Sequence, residues 1–166
     1  MKIHDDHLYH GAALIQIAEH EKFTAINSLK IGRVVYKNAY RINDDIAVYF
    51  KYATNPTAAH GEYVFTFKSE HIDLLKDISE NCKSICLALV CVKDREVCCI
   101  TYSDFKELIA LREKAKGAAE DQYAVLITAP SGKGMRAYVN APGVRGQMIG
   151  DPIKVPRNSF PDAVFG

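Results

Sequence analysis

Ile46-Ala47-Val48-Tyr49-Phe50-Lys51-Tyr52 decides the fold class. Apolar and aromatic residues alternate here with a period of two: Ile46, Val48, Phe50 and Tyr52 point one way, and Ala47, Tyr49 and Lys51 the other, which is a strand with one plainly apolar face. Upstream, Asn43-Asp44-Asp45 supplies a turn and residues 33–43, rich in Val and Tyr, supply the preceding strand. Downstream, Asn55-Pro56 ends the strand and Glu62 to Phe67 alternates again. Three strands with short links predict an antiparallel meander.

Helices bracket the meander. Residues about 6–22 read as a helix whose broad inner face holds Leu8, Gly11, Ala12, Leu14, Ile15 and Ala18, with Glu19 at the edge of that face. Ser69 is placed to cap a helix of about 70–82 with Ile72, Leu75, Ile78 and Cys82 inward; its outer carboxylates read as a solvated face. Residues 84–92, Ser-Ile-Cys-Leu-Ala-Leu-Val-Cys-Val, are almost wholly apolar and fit a central strand buried on both faces. Val97 to Tyr102 pairs back on it. Ser103 then opens a helix that Gly117 ends, and residues 123–129 and 135–140 form a last hairpin. The expectation is an α/β fold: a single mixed, mostly antiparallel sheet flanked by helices, with an α-β-β-β-α-β core plus a C-terminal helix and hairpin.

The chain has 166 residues, 48% of them apolar and 25% charged, enough for one domain with a core that needs no disulfide or metal. Disorder, collagen and coiled coil are excluded. No run approaches the roughly 20 apolar residues of a membrane helix, and Met1-Lys2-Ile3-His4-Asp5-Asp6 does not read as a signal peptide. A cytoplasmic protein with no membrane association is expected. The net charge of +1 is uneven: residues 1–121, the α/β core, carry 16 basic and 18 acidic residues, whereas residues 122–166 carry five basic and two acidic. That final third also holds five of the six prolines, and it reads as a basic, turn-rich extension of the same domain.

Cys82, Cys86, Cys91, Cys98 and Cys99 lack the paired spacing of a zinc site. They read as small hydrophobes in a buried strand pair. If Lys93-Asp94-Arg95-Glu96 is the hairpin loop, Cys91 lies across from Cys98, which leaves a redox pair open. Gly132-Lys133-Gly134 lacks the Ser or Thr and the following helix of a phosphate loop, and is a hairpin tip. His4, His7 and His10 recur every third residue, but the segment is terminal and poor as a metal cage.

The element order and the strand-borne Lys51 resemble the restriction-endonuclease-like superfamily of PD-(D/E)xK nucleases, over residues 6–92. Tyr-x-Ile-Asn, Tyr-Phe-Lys-Tyr and Phe-Thr-Phe are also similar to small uncharacterised bacterial and mobile-element domains. The nuclease resemblance implies Mg²⁺-dependent phosphodiester hydrolysis, in which a metal lowers the pKa of water and offsets phosphoryl charge. Lys51 then takes the lysine's place and positions water, while Tyr49 stands where the family has Asp or Glu. Glu19 matches a first-helix glutamate. Asp44 and Asp45, or Asn38 or Asn43, lie near the family aspartate's place, and Glu62 is a replacement carboxylate. The resulting Mg²⁺ set is Glu19, Asp45 and Glu62, and Lys133, Arg136, Arg145 and Lys154 would contact nucleic-acid phosphates. Two other readings stand beside it. One is a non-catalytic binding or assembly module, with Phe160 and Phe165 packing on a second copy in a homodimer. The other is a small-molecule enzyme with Tyr49, Tyr63 and Phe65 as an aromatic pocket.

Overall fold

A computed structural model describes residues 1–166. The order is α1 (Asp5–Ala18), β1 (Ile26–Ile31), β2 (Val34–Ile42), β3 (Ile46–Ala53), β4 (Glu62–Lys68), α2 (Ser69–Asn81), β5 (Ser84–Cys91), β6 (Glu96–Thr101), α3 (Tyr102–Lys116), β7 (Gln122–Thr128), β8 (Met135–Tyr138), β9 (Ile153–Val155) and α4 (Asp162–Phe165). The protein is α/β as expected, but its strands divide between two sheets. A five-stranded mixed sheet runs β1-β2-β3-β5-β6, and a four-stranded antiparallel sheet runs β4-β7-β8-β9. No helix is long and apolar enough to cross a membrane.

The centre of the first sheet is the parallel pair β3 and β5, in register from Ile46 against Ser84 to Ala53 against Cys91. As its apolar run requires, β5 is buried on both faces: Ile85, Leu87, Leu89 and Cys91 enter the core between the sheets, and Cys86, Ala88 and Val90 the core under α1 and α4. β4 is the departure from the expected meander. Its alternation is real, with Tyr63, Phe65 and Phe67 all buried, but those rings pack face to face on the first sheet while the backbone pairs with β7. Alternation reports which face is buried and leaves the neighbouring strand open.

Residues 122–166 are integral to this arrangement. Tyr123, Val125, Ile127, Met135, Ala137 and Val155 all join the inter-sheet core. Phe160 is buried beneath α1's side of the first sheet, and Phe165 stacks on His20 with ring centroids 4.3 Å apart. Both phenylalanines therefore pack on their own chain, which corrects the expectation that they reach a second copy.

Local chemistry explains several boundaries. α1 turns a different face inward: His10, Ala13 and Ile17 are buried, while Leu8 and Ile15 are more than half exposed. The small Ala13 admits close approach to the sheet, and the His10 ring stacks on Phe50 at 5.7 Å. α2 begins one residue earlier than expected, with Lys68 as the cap and its N–H donating to His71 Nδ1. Thr101, rather than Ser103, caps α3 by accepting from the Asp104 N–H at 3.0 Å. Gly117 ends α3 in the left-handed conformation its φ of 81° requires. The β5–β6 loop is Val92–Arg95, so Cys91 faces Glu96 and Cys98 faces Leu89. All five thiols are free.

Candidate functional site on the outer face of the second sheet

Tyr49 and Lys51 share the face of β3 that looks toward the second sheet. Tyr49 is only 4% exposed, its ring 6.4 Å from that of Phe67, and burial pushes its phenol up to about 12, so it stays protonated. A buried neutral phenol cannot replace an anionic metal ligand. Lys51 is partly buried at the seam between the sheets, with Nζ 5.0 Å from the Phe67 ring centroid. Burial and then the Lys68 charge lower its pKa, and no carboxylate pairs with it.

The three expected Mg²⁺ ligands are placed apart. Glu19 is an exposed residue at the C-terminal cap of α1. Asp45 precedes β3, six residues before Lys51, a strand distance of about 20 Å. Glu62 opens β4 in the other sheet, on the face turned away from the inter-sheet core. No group of three His, Cys, Asp or Glu side chains lies close enough to hold a metal ion. The alternatives for the family aspartate have local duties. Asn43 Oδ1 accepts from the Thr24 N–H at 2.8 Å and hydroxyl at 2.9 Å, clamping the link after α1, and Asn38 takes a φ of 61° within β2. The aromatic pocket is also corrected: Tyr49, Tyr63 and Phe65 are at most 4% exposed, packed shut between the sheets.

Three of the four expected phosphate-contacting cations do meet. Lys133, Arg136 and Lys154 line one groove of about 380 Å³ on the outer face of β8 and β9. Arg136 and Lys154 are direct cross-strand partners, and all three are exposed with no ion pair. Their scaffold is braced by Arg157, another basic residue of the same C-terminal segment. Its guanidinium donates to the carbonyls of Lys133 (2.6 Å), Ala129 (2.8 Å) and Pro130 (2.7 Å), and to Glu96 Oε1 at 3.2 Å.

Arg145 belongs to a second, larger feature on the same sheet face. A cavity of about 680 Å³ lies between the outer side chains of β4 and β7, the end of α3 and the 140–145 loop. Its floor includes Val64, Ala124 and Leu126, and Glu62, Asn140 and Arg145 lie around it. Glu62 is 4% exposed, and its Oε2 accepts a short hydrogen bond from the Tyr138 hydroxyl. Burial, and then this bond, raise the Tyr138 pKa well above that of a free phenol. Asn140 Oδ1 is buried and has no partner. Arg112 fixes the wall: it donates to both Glu120 oxygens, at 2.6 and 3.2 Å, and to the Asn140 carbonyl at 2.7 Å. Gly146, at φ 79°, lets the loop close on His60, since a Cβ there would lie 2.7 Å from the imidazole.

Sequence reasoning marked Glu62 and Arg145 but missed Tyr138 and Asn140. The run Ala141-Pro142-Gly143-Val144-Arg145-Gly146 announces a loop, but nothing in it says which sheet face the loop covers. No family model, curated protein or solved structure matches this chain.

Proposed function

We propose that the protein binds single-stranded nucleic acid along the outer face of its second sheet. The observation that carries this reading is the cross-strand pairing of Arg136 with Lys154 beside Lys133, with no acidic side chain to neutralise them. Like charges directly opposite one another destabilise a sheet, so this pair is more favourable with an anion across it. A phosphate backbone suits three adjacent cations better than a single anion does. The slightly acidic remainder of the chain confines the attraction to this face. The proposal is binding without phosphodiester hydrolysis, since Glu19, Asp45 and Glu62 do not meet around Lys51.

Fluorescence anisotropy with labelled single strands tests it. Three phosphate contacts at about 0.7 counterions each give a slope of about −2 in log affinity against log salt, or roughly 18-fold weaker binding from 50 to 200 mM NaCl. Lys133→Ala/Arg136→Ala/Lys154→Ala together should bring that slope close to zero. A wild-type protein that binds no strand, or a triple variant with the wild-type slope, refutes the reading.

A further inference from the structure

We propose that the cavity beside the basic groove reads one unstacked base through its donor edge, and that guanine fits it best. The inference rests on the nucleic-acid reading above and deepens it. Its starting point is an imbalance of hydrogen-bonding groups. Glu62 is nine-tenths buried and more, Oε2 is taken by Tyr138, and Oε1 has no donor in the protein. Asn140 Oδ1 also lacks a donor but has almost no accessible surface, so Glu62 Oε1 is the acceptor that a ligand in the cavity can reach. A carboxylate oxygen that lines a cavity and has no protein donor is met best by a ligand that brings N–H groups.

Single-stranded bases are recognised on their Watson–Crick edges, stacked against apolar or guanidinium planes. Guanine presents two adjacent donors there, N1–H and the N2 amino group. Adenine and cytosine present one beside an acceptor, and uracil sets its single N–H between two carbonyls that a carboxylate repels. Val64, Ala124 and Leu126 supply a flat apolar floor, which gives Val64, 42% exposed on a strand, a surface to cover. Arg145 stands at the rim for stacking or for the phosphate. The volume of about 680 Å³ is in the range of small-molecule sites.

The register joins cavity to groove. Glu62 pairs with Thr128, Thr128 with Arg136, and Arg136 with Lys154. At about 4.8 Å per strand, the Arg136 backbone lies about 10 Å from that of Glu62 on one sheet face. A base seated at Glu62 thus leaves its own phosphates directed along the cations.

The test uses the full chain and labelled pyrimidine strands of about ten nucleotides that differ only at one central position: guanine, inosine, adenine or uracil. Guanine should bind about tenfold tighter than uracil, with inosine, which lacks the N2 amino group, in between. Glu62→Gln replaces the free acceptor or its charge and should erase the preference while leaving the salt slope unchanged. Should that variant fail to fold, Ala124→Tyr fills the cavity from an exposed strand position and should do the same. Equal binding of all four strands with a slope of about −2 overturns the base-reading cavity and leaves the groove intact. Guanosine monophosphate bound calorimetrically, with no strand bound, overturns the groove and supports the cavity. Binding of neither overturns both.

Discussion

Arg157→Ala tests how the basic groove is held. The guanidinium makes four hydrogen bonds, three of them to successive or near-successive carbonyls of the β7–β8 connection, and one to Glu96. Bonds to charged groups contribute roughly 1.5–3 kcal/mol each when both partners are dry. Here the Arg157 and Glu96 side chains are 28% and 26% exposed, so water recovers much of the loss when the guanidinium is removed. A net cost of about 3 kcal/mol is the consistent figure, in line with breaking a partly buried network. For a domain of this size each kcal/mol lowers Tm by about 2–4 °C, so thermal unfolding should come about 6–12 °C earlier. Arg157→Lys keeps the charge but not the planar fork that spans three carbonyls, and should recover little of the loss. Strand binding should weaken in both variants with the wild-type salt slope, because Lys133, Arg136 and Lys154 remain. Circular dichroism melts and anisotropy read both effects. A Tm within about 2 °C of wild type, or full rescue by lysine, would refute the bracing role.

Two further outcomes follow from buried titratable groups. Burial lowers the His10 pKa below 6.5, with Asp6 opposing and Lys51 reinforcing the shift. Below that value the unfolded chain takes up a proton that the folded state disfavours, so stability falls as pH drops through 6.5. His10→Phe keeps the ring on Phe50 and should shrink the loss of Tm between about pH 7.5 and about pH 5.5; an undiminished loss would exclude His10 as its source. Among the thiols, Cys98 is pushed up to about 12 by burial and Cys91 is raised further, while Cys82 alone is partly exposed. A thiol-reactive chromophore should therefore modify one cysteine in the native protein and all five after denaturation. Rapid native modification of two or more would contradict the packing of β5 and β6.

What the sequence reveals depends on how locally each feature is encoded. The strand 84–91 is legible because burial on both faces leaves no polar position to vary. β1 is not: Ile26-Asn27-Ser28-Leu29-Lys30-Ile31 buries only Leu29, and a bulge between Ser28 and Lys30 breaks its register. The inner face of α1 misleads because apolar residues surround the helix, and the face that packs on the sheet is His10, Ala13 and Ile17. At the candidate site, the cations could be named from the chain, since they cluster in a segment of distinct composition. Their convergence could not, because β9 is three residues long and pairs with β8 across a long irregular loop. Lys51 stood out correctly as a charge on a strand, yet its surroundings are the ring of Phe67 and other cations rather than carboxylates.

The departure of β4 into the second sheet also sets a timetable for synthesis. β3 and β5 can pair once residue 91 is available, with α2 made in between. β4 has no strand partner until β7 follows, since Lys68 pairs with Gln122 and Glu62 with Thr128. At about 5–20 residues per second, the roughly 60 intervening residues take about 3–12 s to emerge. For that interval Tyr63, Phe65 and Phe67 sit on an unpaired edge, the kind of surface that chaperones hold and neighbouring nascent chains adhere to. A ribosome pause between residues 69 and 121 would lengthen that exposure, whereas one after residue 128 would not, so synonymous changes in the two regions should differ in how much protein reaches the folded state.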